Sequence, residues 1–385
     1  MKKKIAILGS TGSIGRQTLD IIRKNKKNFK IMLLTANKNH NLLSKQIVEF
    51  KVKNIIVTNN KSYLFLKKKF KKINVFNNLE KIDNIIKSKL DYTMSSISGF
   101  DGLKPTIKII KKTKTIAIAN KESIICGWRL IKKQLDKHKT KFIPVDSEHF
   151  SIWSVIKDVD TKIIDKIIIT ASGGPFLNLK SQNIKKTPKL ATNHPNWKMG
   201  KKISTDSATL MNKVFEVIEA QRIFKIDINK FDILIHPSSY IHSIIKLNNG
   251  QIKILAHDTD MKIPIFNSIY QENFKKINTK KVNINLLNNL NLIKINLYKY
   301  PSIKILKKIN NINSLFETVL ISANDELVEL YIHNKIKFLQ INKILLKILN
   351  NKKYSNLIKK KPKKISDITN LSEEVRLKTR NLCIQ

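Results

Sequence analysis

The chain has 385 residues, 42% of them hydrophobic, which is enough to bury a core in each of two or three domains. Its formal net charge is +46, but the positive charge runs along the whole chain in short clusters such as Lys67-Lys68-Lys69 and Lys359-Lys360-Lys361, and only six of the 74 basic residues are Arg. Reading of bases and phosphates leans on the Arg fork, so the composition argues against specific nucleic-acid binding and leaves only weak, salt-sensitive association with polyanions.

Two cysteines, Cys126 and Cys383, cannot build a disulfide framework in a chain of this length, so both are expected as free thiols, with Cys126 in the core. The apolar run that follows Met1-Lys2-Lys3-Lys4 breaks at Gly9, too soon for a signal peptide. No stretch approaches the ~20 apolar residues of a membrane span. A soluble, cytoplasmic protein is expected.

In chain order, residues 5–8, 31–35, 54–57, 115–119 and 142–145 read as short strands, and helical patterns over 14–24 and 42–50 lie between them. This alternation predicts a parallel sheet with helices on both faces, a first domain over 1–150. Between the first strand and first helix stands Gly9-Ser10-Thr11-Gly12-Ser13-Ile14-Gly15. Glycines there permit a tight turn, a close approach of backbone to a pyrophosphate and close helix packing, with the helix N-terminus facing the anion. The alternative is an ordinary strand-to-helix turn. After the second strand, Ala36-Asn37-Lys38-Asn39 lacks the carboxylate that holds the ribose 2′-hydroxyl of NAD. A cation with two amides suits the 2′-phosphate, so NADP is favoured.

The second region, 151–270, has strand patterns at 166–170, 231–235 and 251–256 and a helical pattern over 207–224. Its segment 172–201, rich in Gly, Pro and Asn, is long for a connector and reads as a lid. An Asn/Lys/Leu-rich linker over 271–298 leads to a C-terminal region, 299–385, with helical periodicity at 314–333 and 341–349. The expected fold is α/β: an N-terminal Rossmann-type NADP domain, an α+β catalytic domain and a C-terminal α-helical domain.

With only 28 Asp and Glu residues, acids beside structural landmarks are informative. Asp146 and Glu148 follow a strand, and in extended backbone residues two apart project to one side. Such a pair either binds a cation, Mg²⁺ or Mn²⁺ rather than Zn²⁺ given oxygen-only ligands, or forms a solvated turn. On the helix expected from Ser207, the residues Asn212, Lys213 and Glu216 share one polar edge, which is either functional or simply the wet stripe of an amphipathic helix. Ser207 near that helix start would set a hydroxyl beside free backbone N–H groups, favourable for phosphate. Trp197 and Met199 in a surface loop suggest a segment folded over something, while His194 is either a ligand contact or a packed histidine. His149, His236 and His257 show no metal-ligand spacing.

Taken together, Gly9–Gly15, Ala119-Asn120-Lys121-Glu122-Ser123, the segment from Pro144 through Asp146-Ser147-Glu148 to His149, the segment from Ala171 to Phe176, His194-Pro195-Asn196-Trp197 and the segment from Lys202 to Lys213 resemble the 1-deoxy-D-xylulose 5-phosphate reductoisomerases. Ala323-Asn324 and Glu326 continue the likeness into the tail. The resemblance implies a V-shaped homodimer that converts 1-deoxy-D-xylulose 5-phosphate to 2-C-methyl-D-erythritol 4-phosphate in the non-mevalonate isoprenoid route. It implies NADPH contacts at Thr11, Gly12, Ser13, Ile14, Asn37, Lys38, Asn39, Asn120, Glu122 and Gly200. It implies Mg²⁺ or Mn²⁺ on Asp146, Glu148 and Glu216. Substrate would be held by Lys121, Ser147, Ser172, His194, Ser207, Asn212 and Lys213, under Trp197 as the lid residue. Asn37 departs from the Gly usual in that turn. Two rivals are another NADP-dependent dehydrogenase, which has no use for three acids beside a Ser/Asn/Lys cluster, and a basic nucleic-acid-binding protein on a decayed enzyme fold.

Overall fold

The computed structural model of the chain describes residues 2–178, 186–197, 199–271 and 275–384. Contacts divide it into two units: Met1–Ile124, Arg129–Asp146 and Met261–Ile277 form the first, and Ile125–Trp128, Ser147–Asp260 and Asn278–Gln385 the second.

The first unit is built on seven parallel strands, β1 (Lys3–Leu8), β2 (Phe29–Ala36), β3 (Asn54–Val57), β4 (Asn74–Phe76), β5 (Leu90–Ser95), β6 (Thr113–Ile118) and β7 (Lys141–Pro144), in the order β4-β3-β2-β1-β5-β6-β7. Ile5, Ile7, Leu34, Ile55, Tyr92 and Met94 are wholly buried in one core, as expected of a parallel sheet covered on both faces. Strand order reverses between β1 and β5, the place where open α/β sheets form a crevice beyond their carboxyl ends. The helix Lys262–Tyr270 joins this unit through Ile265 and Ile269, and Tyr92 OH pairs with Ser268 Oγ at 2.7 Å. Residues 261–271, which the sequence pattern divides between the second region and the linker, therefore belong with the first sheet. β5 carries little apolar pattern because buried hydroxyls stand in for hydrocarbon: Ser95 Oγ pairs with Thr106 Oγ1 at 2.7 Å.

In the second unit β8 (Ile164–Ala171), β9 (Phe231–Ile235), β10 (Ile241–Leu247), β11 (Ile252–Ala256) and β12 (Ile293–Lys294) form a sheet ordered β11-β10-β8-β9-β12, with β8 and β9 parallel and the other pairs antiparallel. β12 and a short helix, Ile284–Asn288, lie within the stretch expected as linker. Ile152 and Ile156 of the helix Ser147–Ile156, and Val217 and Ala220 of the helix Met211–Phe224, share one core with Ile167, Ile169, Ile233 and Ile245 of the sheet. The long helices Phe316–Ile332, Phe338–Asn350 and Ile365–Ile384 belong to the same unit.

The single helix expected over 207–224 is in fact two. Lys201–Ala208 ends at Thr209, and Met211–Phe224 restarts after Leu210, whose backbone is left-handed at φ 57°. Ser207 thus lies in the last turn of the first helix, and the expected hydroxyl beside a helix start is not formed. Leu210 is only 1% exposed, so core packing holds a conformation that a branched side chain adopts rarely.

Helix Met211–Phe224 is fixed to Phe316–Ile332 by a buried ion pair. Arg222 Nη2 donates to Glu317 Oε1, Nη1 donates to Asn310 O at 3.0 Å, and Glu317 Oε2 accepts from Ser314 N and Oγ at 2.9 and 2.6 Å. Breaking one side leaves an uncompensated buried charge. Arg222→Met is expected to lower unfolding free energy by about 3–5 kcal/mol, read from the denaturant midpoint; an unchanged midpoint would show that the pair contributes nothing.

Candidate active site

In the first unit the functional loops all leave the carboxyl ends of parallel strands. Gly9 follows β1 at φ 85°, and a Cβ there would lie 2.7 Å from Ser96 O; at Gly15 a Cβ would lie 2.3 Å from Gly9 O. These two glycines are required by the close approach of backbone to backbone. Gly12 is different: nothing comes nearer than 3.4 Å to a Cβ placed there, and as N-cap of the helix Ser13–Arg23 it offers no side-chain cap. With no acid in the first turn, this helix end presents N–H groups and positive dipole to an anion, which fits a nucleotide pyrophosphate. Thr35 and Gln46, which the sequence did not flag, fix the loop: Gly9 N donates to Thr35 Oγ1 at 2.9 Å, Ser10 Oγ donates to Gln46 Oε1 at 2.8 Å, and Gln46 Nε2 donates to Ser10 O at 2.9 Å.

Asn37, Lys38 and Asn39 are exposed beyond β2. Asn39 caps the helix His40–Phe50 by accepting from Leu42 N at 3.1 Å. Asn37 is not in the left-handed region, so the backbone does not demand glycine at that position. Beyond β6, the Asn120 side chain caps the helix Lys121–His138 and donates to Ile97 O and, at 2.8 Å, to Gly99 O, so the protein itself uses the whole amide. Glu122 is in the first turn of the same helix, and Lys121 Nζ pairs with Asp146, the residue that follows β7.

In the second unit Ser147 and Glu148 open the helix Ser147–Ile156. Glu148 therefore sits in a helical first turn, not in continuing strand, and alternation along an extended backbone is not what orients it. Lys213 Nζ donates to Glu148 Oε1 and lies 2.5 Å from Glu216 Oε2. The two acids offer carboxylate oxygens within 4.8 Å of each other. Ser147 Oγ donates to Glu148 Oε2 at 2.5 Å, and Asn212 Nδ2 donates to Glu216 Oε1. Burial pulls the Lys213 ammonium down, but the two carboxylates outweigh it and hold it above its usual value. Asn212 and Lys213 thus lie on the acids, and Asp146 is tethered to them by the chain, two residues before Glu148. His149, whose sequence spacing gives no sign of it, has Nδ1 3.7 Å from Glu219 Oε2 on the same helix as Glu216.

A second group forms around His194. Its Nε2 is 2.9 Å from Ser172 Oγ and 3.2 Å from Ser207 Oγ, and its Nδ1 accepts from Asn196 N at 3.2 Å and Trp197 N at 3.0 Å. Burial and then the charge of Lys213 hold its pKa down at about 4. The neutral ring accepts at Nδ1 and so carries its proton on Nε2, making one N–H and two hydroxyls available to an oxyanion. Gly174 brings the loop after β8 against this group: a Cβ there would lie 2.6 Å from Ser207 O. A cavity of about 400 Å³ adjoins it, lined in part by Ser172, Gly174, Phe176, Pro195 and Asn196. Half-buried Trp197 meets His242 edge-on at 6.2 Å, and His242 stacks on His257 at 3.8 Å. His242 carried no distinguishing motif in the sequence. Of the expected lid, residues 179–185 and 198 lie outside the described residues; Gly200 begins the helix Lys201–Ala208, and nothing lies within 4 Å of a Cβ placed on it.

Family models for 1-deoxy-D-xylulose 5-phosphate reductoisomerase and two of its C-terminal domains match residues 5–127, 142–224 and 257–378. The 1-deoxy-D-xylulose 5-phosphate reductoisomerase of Pelagibacter ubique is 56% identical over 99% of this chain and all of its own length. The chain belongs to the 1-deoxy-D-xylulose 5-phosphate reductoisomerase family. Among solved reductoisomerases, the Zymomonas mobilis enzyme in complex with NADPH has 30% identity and a TM-score of 0.88, covering 100% of this chain and 99% of its own. Another, in complex with NADPH, fosmidomycin and magnesium, has 29% identity and a TM-score of 0.86, covering 99% of this chain and 97% of its own.

Burial disfavours the charged form of two histidines in particular, His194 and His242. Burial holds His242 down at about 3 and His194 at about 4, against an ordinary 6.5. Between those values and 6.5 the unfolded chain binds more protons than the folded one, so stability falls as pH drops through that window. The thermal midpoint is expected to fall from pH 7 to pH 4, and less steeply for His242→Gln; parallel curves would show that His242 contributes nothing to the acid limb.

Proposed function

We propose that the protein converts 1-deoxy-D-xylulose 5-phosphate to 2-C-methyl-D-erythritol 4-phosphate with NADPH and a divalent metal ion, and that the carboxylates of Asp146, Glu148 and Glu216 hold the ion. The observation that carries this reading is the buried pair Glu148–Glu216, 9% and 1% exposed, which needs positive charge between its members. An all-oxygen donor set fits Mg²⁺ or Mn²⁺. Bound there, the ion supplies Lewis-acid stabilisation of developing oxyanion charge, and NADPH on the β1 loop supplies hydride.

The chain's own residues bind and orient. Ser172, His194 Nε2–H and Ser207 present donors to the substrate phosphate, with Lys213 and Asn212 adding charge and a further donor. Anchoring at that remote group fixes the reacting carbons and directs binding energy to alignment. Trp197 covers the sugar and excludes water. Lys121, paired with Asp146, is placed to assist charge or proton movement. Thr11, Gly12, Ser13, Ile14, Asn37, Lys38, Asn39, Glu122 and Gly200 contact the cofactor, and Asn120 does so through its backbone.

No described helix is long and apolar enough to cross a membrane, and a cytoplasmic location is part of the same proposal. A homodimer is part of the same proposal, supported by membership of the family. A different NADP-dependent dehydrogenase would have no use for the Glu148–Lys213–Glu216 arrangement.

Protein mixed with NADPH, 1-deoxy-D-xylulose 5-phosphate and Mg²⁺ is expected to consume NADPH absorbance, and chelator should stop it; consumption unaffected by chelator would remove the metal. Glu216→Gln is expected to lower kcat by about 10²-fold or more with NADPH affinity kept, measured by fluorescence titration. Trp197→Ala should raise KM for the sugar phosphate and slow turnover, whereas wild-type kinetics would show that the segment is no lid.

A further inference from the structure

The helix Lys201–Ala208 carries Ser207 toward His194, and the residue before it, Asp206, points elsewhere. Lys202 and Asp206 are one turn apart on a common face, with Ser207 about 100° farther round. Asp206 is 1% exposed, and a carboxylate buried to that degree needs both oxygens answered. Oδ1 accepts from Asn324 Nδ2 at 2.8 Å, and Oδ2 lies 3.0 Å from Lys202 Nζ. The same ammonium is 3.0 Å from Asp325 Oδ1, whose other oxygen accepts from Arg376 Nη2 at 2.8 Å. Next along, Arg380 Nε donates to Glu326 Oε1 at 2.8 Å. One run of polar contacts thus joins the helix bearing Ser207 to Phe316–Ile332 and Ile365–Ile384.

Asn324 is fully buried, and its Oδ1 has no hydrogen-bond partner among the described residues. Its amide makes its bond to Asp206 while leaving its own oxygen unanswered. A position that needed only filling would be more stable with an aliphatic side chain of that volume. What the polar pair supplies is a fixed rotation and height for the short helix. Tolerance there is small, because Ser207 O presses on Gly174 with no room for a Cβ, and Gly174 belongs to the loop that carries Ser172.

We propose that Asp206 and Asn324 are positioning residues that act through Ser207, so that the C-terminal helices set the geometry of the Ser172–His194–Ser207 group and hence affinity for the substrate phosphate. This rests on Ser207 as a phosphate contact. The test is a double-mutant cycle on the full-length enzyme with NADPH and Mg²⁺, comparing Asp206→Asn, Ser207→Ala and both together. Asp206→Asn is expected to raise KM for 1-deoxy-D-xylulose 5-phosphate about tenfold with KM for NADPH unchanged, and to add less than about twofold in the Ser207→Ala background. Asn324→Ala, made from the other end of the contact, should show the same pattern if Asp206→Asn does not fold. Equal effects in both backgrounds, or an equal rise in KM for NADPH, would overturn the proposal by showing general loosening. If Ser207→Ala itself leaves KM for the sugar phosphate unchanged, the assignment of Ser207 fails first and the positioning role falls with it.

Discussion

The second unit depends on two carboxylates, Glu148 and Glu216, standing within reach of one cation in the protein interior. Like charges that close, that far from water, either share a proton or hold a positive charge between them. Lys213 supplies that charge here, from the same helix as Glu216 and one turn before it. The left-handed backbone at Leu210 starts a new helix just before Asn212 and Lys213, and the start of Ser147–Ile156 sets Glu148 opposite. The buried Arg222–Glu317 pair then ties the far end of the same helix to the C-terminal layer. Buried charge held in a fixed arrangement along one helix is the pattern expected of a site and not of a core alone.

The first unit solves a different problem with fewer charges. The turn after β1 suits an anion through its backbone: a helix end without a side-chain cap, a glycine at position 12 that a Cβ would not crowd, and two glycines, 9 and 15, packed tightly against neighbouring backbone. Thr35 and Gln46 hold that turn rigid, so the N–H groups face outward before any ligand arrives.

Much of this was readable from residues because the informative types are scarce. Acids are few in a chain dominated by Lys, Ile and Asn, so Asp146, Glu148 and Glu216 stood out, and glycines at 9, 12 and 15 fell between an apolar run and an amphipathic one. What stayed hidden has physical causes. β5 and β10 bury Thr93, Ser95, His242 and Ser243 among their apolar residues, which interrupts the apolar pattern. No Gly or Asn marks the break at Leu210, whose left-handed backbone is held by its buried side chain and by the hydrogen bond from Met211 N to Thr209 Oγ1. Asn120 reads as a ligand-contacting residue in a motif, yet its side chain is a helix cap with two further bonds. The contacts of Asn212 with Glu216 and of Lys213 with Glu148 are likewise hidden, because spacing along one helix does not show which neighbouring group a polar edge meets.

On the proposed reading, Glu148 and Glu216 together seat a single divalent ion. The most direct measurement is a Mn²⁺ titration followed by electron paramagnetic resonance, with NADPH present, on the unaltered protein and on Glu148→Gln. One bound ion per chain in the first and none in the second is the expected result. Full, undiminished Mn²⁺ binding in Glu148→Gln would contradict it.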